Sequence, residues 1–330
     1  TYSRGWGHIT TRQNLQFHHI PLAKAAEALF IMGRHHYGEA AWHGAGVPLP
    51  RAAMRLSFLL VGYNSAALIA SSLRAIATQI AGTDHEILLV DNGDGSTAAL
   101  VRRDFPQVRI LPRRGNVGYG AGNNYLARHA QGDLLVIVNP DAVLLPGTVA
   151  GLEELAARRL DAAGFAGLML NAQGRPSGEN FLAPPTLGHL SAHMLGFYAL
   201  WRRLVLVRRL DQERAVACTS GAFVAIRRAA WDRLGGFDES FFLYGEEMDL
   251  FRRMQAQRLI LLRSPRLAVR HDTGSGGRHG LDRVRLLCRG TMHFARKHQS
   301  APVAALTGVV LWAMVFSRLA LRRGFRRPHD

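Results

Sequence analysis

From Leu56 onward, short apolar runs alternate with helical stretches, and each run ends in a cluster of turn-forming residues. Leu56 to Val61 leads into Gly62-Tyr63-Asn64-Ser65, Glu86 to Val90 into Asp91-Asn92-Gly93-Asp94-Gly95, and Leu134 to Val138 into Asn139-Pro140-Asp141. Helices are expected to about Ile80 and Phe105, near Asn123 to Ala130, and from Pro146 to about Arg159, with a short strand at Val108 to Leu111. Strands joined by helices of this length predict an α/β fold. Its central sheet is Rossmann-like and mostly parallel, with helices on both faces.

In open α/β sheets, ligands sit outside the carboxyl ends of the strands. Pro140 cannot donate to a sheet ladder, so the chain leaves the sheet there and holds Asp141 at that edge. A carboxylate so placed can bind a divalent metal, and the metal a diphosphate. A plain turn closed by Asn and Asp is the competing reading. Asp91 ends its strand in the same way and can accept from a pyrimidine imide N–H or a ribose hydroxyl. Tyr63 and Asn64 share the edge, and Tyr63 can pack on a base. The loop from Gly115 to Asn124 has glycines at 115, 118, 120 and 122. Its backbone can approach a ligand closely, and the helix after it offers free N–H groups to an anion. It matches neither the phosphate loop of nucleotide triphosphatases nor the dinucleotide fingerprint.

The second half begins with a long excursion over 171–215, which reads as a mobile segment. A strand from Cys218 to Ile226 and a helix from Arg228 to Leu234 follow. Glu246, Glu247 and Asp249 then crowd three acids into four residues at an expected helix start, where the macrodipole favours their ionised forms. One of them can serve as general base toward an acceptor hydroxyl. His271 leaves the next strand and can ligate the same metal as Asp141, or play a structural part.

The chain carries 41 Lys+Arg and 24 Asp+Glu, a net charge of +17. Residues 251–330 hold 17 of the basic and 3 of the acidic residues, so +14 of the charge lies in this last quarter. A basic tail on a near-neutral body points to an anionic partner, lipid head groups or nucleic acid. Residues 301–317 are mostly apolar, followed by Arg318, Arg322, Arg323, Arg326 and Arg327. A spanning helix needs about 20 apolar residues, so this segment reads as a helix lying in the interface. The two cysteines, Cys218 and Cys288, have no motif spacing and fit a reducing compartment. In residues 1–50 a helix is expected from Pro21 to Gly33. Six histidines there (8, 18, 19, 35, 36 and 43) have no metal spacing, and Val47-Pro48-Leu49-Pro50 reads as a linker.

Taken in order, Val61-Gly62-Tyr63-Asn64-Ser65, Val90-Asp91-Asn92, Gly115 to Asn124, Asn139-Pro140-Asp141, Ser220-Gly221-Ala222, Gly235-Gly236-Phe237-Asp238, Tyr244 to Leu250 and His271 resemble the family 2 glycosyltransferases of the GT-A fold. The bacterial rhamnosyltransferase-like branch is the most similar. The resemblance spans about 55 to 275. It implies a GT-A domain over 51–275, with a nucleotide-sugar half at 51–150 and an acceptor and catalytic half at 151–275. Residues 1–50 would be an N-terminal extension, and 276–330 a basic, apolar helical segment on an anionic membrane surface.

The implied reaction is an inverting transfer from a nucleotide-sugar. dTDP-rhamnose is the favoured donor, with a UDP-hexose or UDP-galactofuranose as the alternative. The acceptor would be a glycan or a polyprenyl-diphosphate-linked sugar, at the cytoplasmic face of the cell membrane. Asp141 and His271 would hold Mg2+ or Mn2+ on the diphosphate. Asn139 takes the place of the family's first aspartate. The nucleotide-sugar set is Tyr63, Asn64, Asp91, Asn92, Asn116, Gly118, Asn123, Asn139 and Asp141. Glu247 falls at the catalytic-base position within Glu246-Glu247, and Asp249 is the alternative base. A homo-oligomer is compatible with this reading. A nucleic-acid partner is not expected, and a non-catalytic binder is the remaining alternative.

Overall fold

The computed structural model describes residues 8–9, 15–16, 54–195, 197, 210–271 and 281–324. The chain divides into two compact units, Thr1–Ala53 and Met54–Asp330. In the first, β1 (His8–Ile9) and β2 (Leu15–Gln16) pair antiparallel. The helix expected over 21–33, the linker at 47–50 and the histidines other than His8 lie outside the described residues.

The second unit opens with β3 (Leu56–Gly62), α1 (Ala66–Ala77), β4 (His85–Asp91), α2 (Ser96–Asp104), β5 (Arg109–Ile110), α3 (Tyr119–His129) and β6 (Leu134–Val138). It continues with β7 (Ala142–Leu144), α4 (Thr148–Arg158), β8 (Ala162–Leu170), a 3-10 turn (Gly178–Phe181), α5 (Leu187–Met194), β9 (Arg214–Ala215) and β10 (Phe223–Arg227). It closes with α6 (Arg228–Leu234), α7 (Glu246–Ala256), β11 (Ile260–His271), α8 (Leu281–His298) and α9 (Ala301–Gly324). One sheet runs β5-β4-β3-β6-β10-β8-β11-β7, and β9 pairs with β11.

All seven residues of β3 are buried, as expected for a strand covered on both faces. Successive side chains point to opposite faces and so feed two cores. Leu56, Phe58 and Leu60 pack with Ile69, Leu73 and Ile76 of α1 and Leu152 and Leu155 of α4. Leu59 and Val61 belong to the other core, with Leu126 of α3, Trp231 of α6, and Leu250, Phe251 and Met254 of α7. Burying each large apolar side chain contributes about 1.5–3 kcal/mol.

The sheet is parallel from β5 to β6, but β10 runs antiparallel to both β6 and β8. Apolar periodicity carries no strand direction, so this inserted strand reads the same in sequence either way. It also starts at Phe223 rather than Cys218, which frees Ser220, Gly221 and Ala222 to line a cavity. The glycine-rich segment differs from expectation as well. It is already helical from Tyr119, and its first helical N–H donates to the Phe242 carbonyl at 3.1 Å. A Cβ on Gly122 would meet Val61 at 2.9 Å, so this glycine serves close packing of α3 on β3 rather than a phosphate.

Register sets the site. Gly62 lies opposite Asp91, and Leu59 opposite Ile137, so β3, β4 and β6 end on one edge. After β6 the Asn139 carbonyl accepts from Ala142 N–H at 3.0 Å, closing the Asn-Pro-Asp turn. That turn feeds β7, which pairs antiparallel with β11 so that Ala142 faces His271.

Candidate active site

A cavity of about 410 Å³ opens at this edge. Its walls include Asn139 and Asp141 from the β6 turn, Glu179 from the 3-10 turn, and Ser220 to Ala222 ahead of β10. Tyr244 to Met248 at the start of α7, His271 at the end of β11, and Arg283, Leu287 and Thr291 of α8 also line it. A second groove of about 160 Å³ is lined by Tyr63, Asn92, Asn116, Gly118 and Phe242. It shares Tyr119, Leu243 and Tyr244 with the first, so the two are contiguous.

At the cavity floor, His271 bridges two carboxylates. Its Nε2 lies 3.1 Å from Asp141 Oδ1 and its Nδ1 2.9 Å from Glu179 Oε2. Ser220 Oγ donates to Glu179 Oε1 at 2.8 Å. Burial lowers the His271 pKa, but the bonds and charges of Asp141 and Glu179 outweigh it and lift it to about 10. Asn139 Oδ1 is buried without a partner beside this cluster, and Asn139 Nδ2 lies 3.5 Å from His271 Nε2. The carboxylate and the amide oxygen suit Mg2+ or Mn2+, and the His271 ring would join them only with its Nε2 proton displaced by the cation. Among the described residues, no group of three His, Cys, Asp or Glu is arranged to hold an ion alone. Any metal here therefore needs oxygens from a ligand.

Glu246 and Glu247 also line the cavity and open α7, with Gly245 before them in the left-handed region. Burial raises Glu247, partly offset by backbone N–H groups at the helix start, and the charge of Glu179 adds to the rise. Burial and the neighbouring Glu247 push Glu246 well above the usual carboxylate range. Asp249 does not line the cavity. It is fully buried behind α7 and is held by Arg253, Lys297 and His298 at 2.7–2.8 Å. Two residues along an α-helix turn about 200°, so Glu247 and Asp249 cannot share a face. Asp249 thus lies apart from the cavity that Glu247 lines.

The nucleoside edge is only partly assembled as the sequence suggests. Tyr63, Asn92, Asn116 and Gly118 meet in the second groove. Asp91 instead spends both oxygens on backbone N–H groups, Gly93 at 2.8 Å and Ala98 at 2.9 Å, which ties β4 to α2. It lines a separate groove with Arg102 and Arg113. Asn64 Oδ1 accepts from Asp94 N–H and holds the neighbouring turn. Asn123 is buried inside α3 with its Nδ2 on the Tyr119 carbonyl, away from these cavities. Sequence reasoning missed Glu179, whose local signal is only Ser177 Oγ accepting from its N–H in an irregular segment. It also missed the three α8 residues, which no motif marks.

The inserted antiparallel strand and an acid-lined cavity at the sheet's carboxyl edge define a GT-A glycosyltransferase. In PcManGT, the mannosyltransferase from Pyrobaculum calidifontis solved with GDP-Man and Mn2+, the same fold covers 92% of this chain and 84% of that one. Its TM-score is 0.54 at 20% identity. GalNAc-T7 solved with UDP, GalNAc and Mn2+ also reaches a TM-score of 0.54, at 13% identity over 75% of this chain and 48% of that one. The model of the family described as "Glycosyltransferase like family 2" matches residues 50–279. The chain belongs to glycosyltransferase family 2. It is also 31% identical, over 73% of its length and 86% of the relative's, to N-acetylglucosaminyl-diphospho-decaprenol L-rhamnosyltransferase of Mycobacterium tuberculosis, from strains CDC 1551 and H37Rv alike.

Proposed function

We propose that this glycosyltransferase is a metal-dependent, inverting rhamnosyltransferase that moves L-rhamnose from dTDP-rhamnose to a lipid-linked sugar diphosphate in cell-envelope glycan synthesis. The observation that carries the reading is that Asp141, His271 and Glu247 line one cavity. The mycobacterial relative supports the sugar and the acceptor class.

The donor nucleoside would lie in the groove of Tyr63, Asn92 and Asn116, with its diphosphate toward Asp141. Asp141, His271 and the amide oxygen of Asn139 would hold Mg2+ or Mn2+, which as a Lewis acid would offset charge on the departing nucleoside diphosphate. Glu179 and Ser220 would fix the His271 ring. Glu247 would take the proton from the acceptor hydroxyl as its oxygen bonds to the sugar C1 and the C1–O bond to the diphosphate breaks on the opposite face. Its raised pKa brings the base nearer the operating pH. Nucleotide-sugar stabilisation of the full chain, read as a melting shift with and without Mn2+, tests this. dTDP-rhamnose should give the largest metal-dependent shift. A larger shift with a UDP-sugar would move the donor assignment, and no shift with any would overturn the reading.

We further infer peripheral attachment to the inner membrane face through α9. Leu306, Val309, Trp312 and Phe316 are exposed on it, with the two rings stacked at 5.1 Å. Among the described residues, no helix is long and apolar enough to cross a membrane. A helix that exposes these apolar residues, with arginines following in the sequence, can lie in an interface instead.

A further inference from the structure

We propose that Arg283, Leu287 and Thr291 form an acceptor subsite in which Arg283 takes the diphosphate of a lipid-linked sugar; this rests on the glycosyl-transfer reading above. The three residues recur at intervals of four along α8, so they share one face, and all three line the cavity. Asp141, Glu179, Glu246 and Glu247 line the cavity with carboxylates, and Arg283 is the only Lys or Arg among the described lining residues. A second diphosphate, brought by an acceptor, is repelled by those carboxylates and drawn to the guanidinium. Arg283 pairs with no carboxylate among the described residues, so its donor fork is available for bidentate phosphate contact.

Spacing agrees with this placement. A Cβ on Gly290 would collide with the Tyr244 carbonyl, so α8 touches the backbone turn that launches α7 and Glu247. Seven residues of helix separate Gly290 from Arg283, a rise of about 10.5 Å. Arg283 therefore lies about two helical turns from the point where α8 meets the start of α7. The donor's own diphosphate belongs with Asp141, and the Tyr63 groove joins the cavity through Tyr119, Leu243 and Tyr244. Leu182, Ala183 and Pro185, which carry no charge, also line the cavity, and Val284 and Leu287 of α8 are exposed. These apolar residues suit the hydrocarbon that follows the phosphates.

The test is calorimetric binding to the full chain, without donor, of a short-chain polyprenyl-diphospho-N-acetylglucosamine and of a phosphate-free alkyl N-acetylglucosaminide. Arg283→Gln should weaken the diphosphate probe about tenfold or more and leave the alkyl glycoside unchanged, and Arg283→Lys should restore part of the loss. Equal binding of the diphosphate probe by wild type and Arg283→Gln, or no binding by wild type, overturns the proposal. In the same preparations, Arg283→Gln should leave the melting shift with nucleotide-sugar and Mn2+ intact. A lost shift in the variant alone would assign Arg283 to the donor. A missing shift in wild type would fault the transfer reading, while the acceptor binding still decides the subsite.

Discussion

Asp249→Asn separates the two carboxylates that the sequence left as rivals. Asp249 is fully buried and accepts from Arg253 Nε at 2.8 Å, Lys297 Nζ at 2.7 Å and His298 Nε2 at 2.7 Å. Asparagine keeps the shape and removes the charge. Breaking a buried ion pair costs about 3–5 kcal/mol when the partner charge is stranded. Here the cations keep other contacts. Arg253 also donates to the Leu234 and Gly236 carbonyls at 2.7 Å, and Lys297 retains Asp238 at 2.6 Å. Both also reach solvent, so the expected loss is about 2–3 kcal/mol, at or just below the bottom of that range. Denaturant unfolding should show a lower midpoint with an unchanged slope. Burial raises the Asp249 carboxyl pKa, but bonds from Lys297, His298 and Arg253 outweigh it and leave the pKa below its usual value. A lowered folded-state pKa gives stability that is present above the unfolded value and is lost as pH falls through the folded one. The gap between wild type and variant should therefore be constant near neutrality and close below about pH 4. Turnover should stay within about tenfold of wild type, since the carboxylate does not reach the cavity. Wild-type stability combined with a far larger loss of kcat would make Asp249 the base and refute the assignment of Glu247.

Glu247→Gln should lower kcat by about 10²–10⁴ while the melting shift with nucleotide-sugar persists. Because burial raises Glu247, wild-type kcat should fall on the acid side at a pH above the ordinary carboxylate range, as the base is protonated. The variant should lose that limb from its pH–rate profile. Glu179→Gln should weaken Mn2+ binding by about 10–100-fold in a paramagnetic titration, since partners that orient a metal-binding histidine carry that share of affinity. Unchanged Mn2+ affinity would leave Glu179 outside the metal site. The exposed pair Leu306→Glu with Trp312→Glu should abolish flotation with anionic vesicles at unchanged melting temperature, and retained flotation would reject α9 as the attachment surface.

The strands that build the nucleotide half were legible because they are buried on both faces and end in Gly, Asn, Asp and Pro. Asp141 and His271 were legible as separate strand-end residues. Their contact was not, because it depends on β7 pairing with β11 in the register that sets Ala142 opposite His271. Glu179 was hidden for a different reason. It sits in a 3-10 turn whose position is fixed by tertiary bonds, Asn180 to Met169 and Ser220 to Glu179, rather than by periodicity. Asp91 poses a different problem. Its type and strand end suggested a ligand contact, and in the structure its oxygens accept from the backbone of the turn before α2. A turn carboxylate and a ligand carboxylate look identical in sequence.

One helix outside the matched family segment links these parts. Lys297 and His298, at the end of α8, hold Asp249 on the rear of α7. About two turns earlier, Gly290 abuts the Tyr244 carbonyl ahead of Glu247. Two turns earlier still, Arg283 lines the cavity rim. The start and the rear of α7 are therefore both held by α8, which also lines the cavity where the acceptor is proposed to bind. α8 ends at His298 and α9 begins at Ala301, and the two helices pack against each other. If α9 seats in a lipid surface as proposed, that packing would tie the placement of Arg283 and Glu247 to the same surface. This geometry fits an acceptor whose diphosphate is itself held at a membrane face.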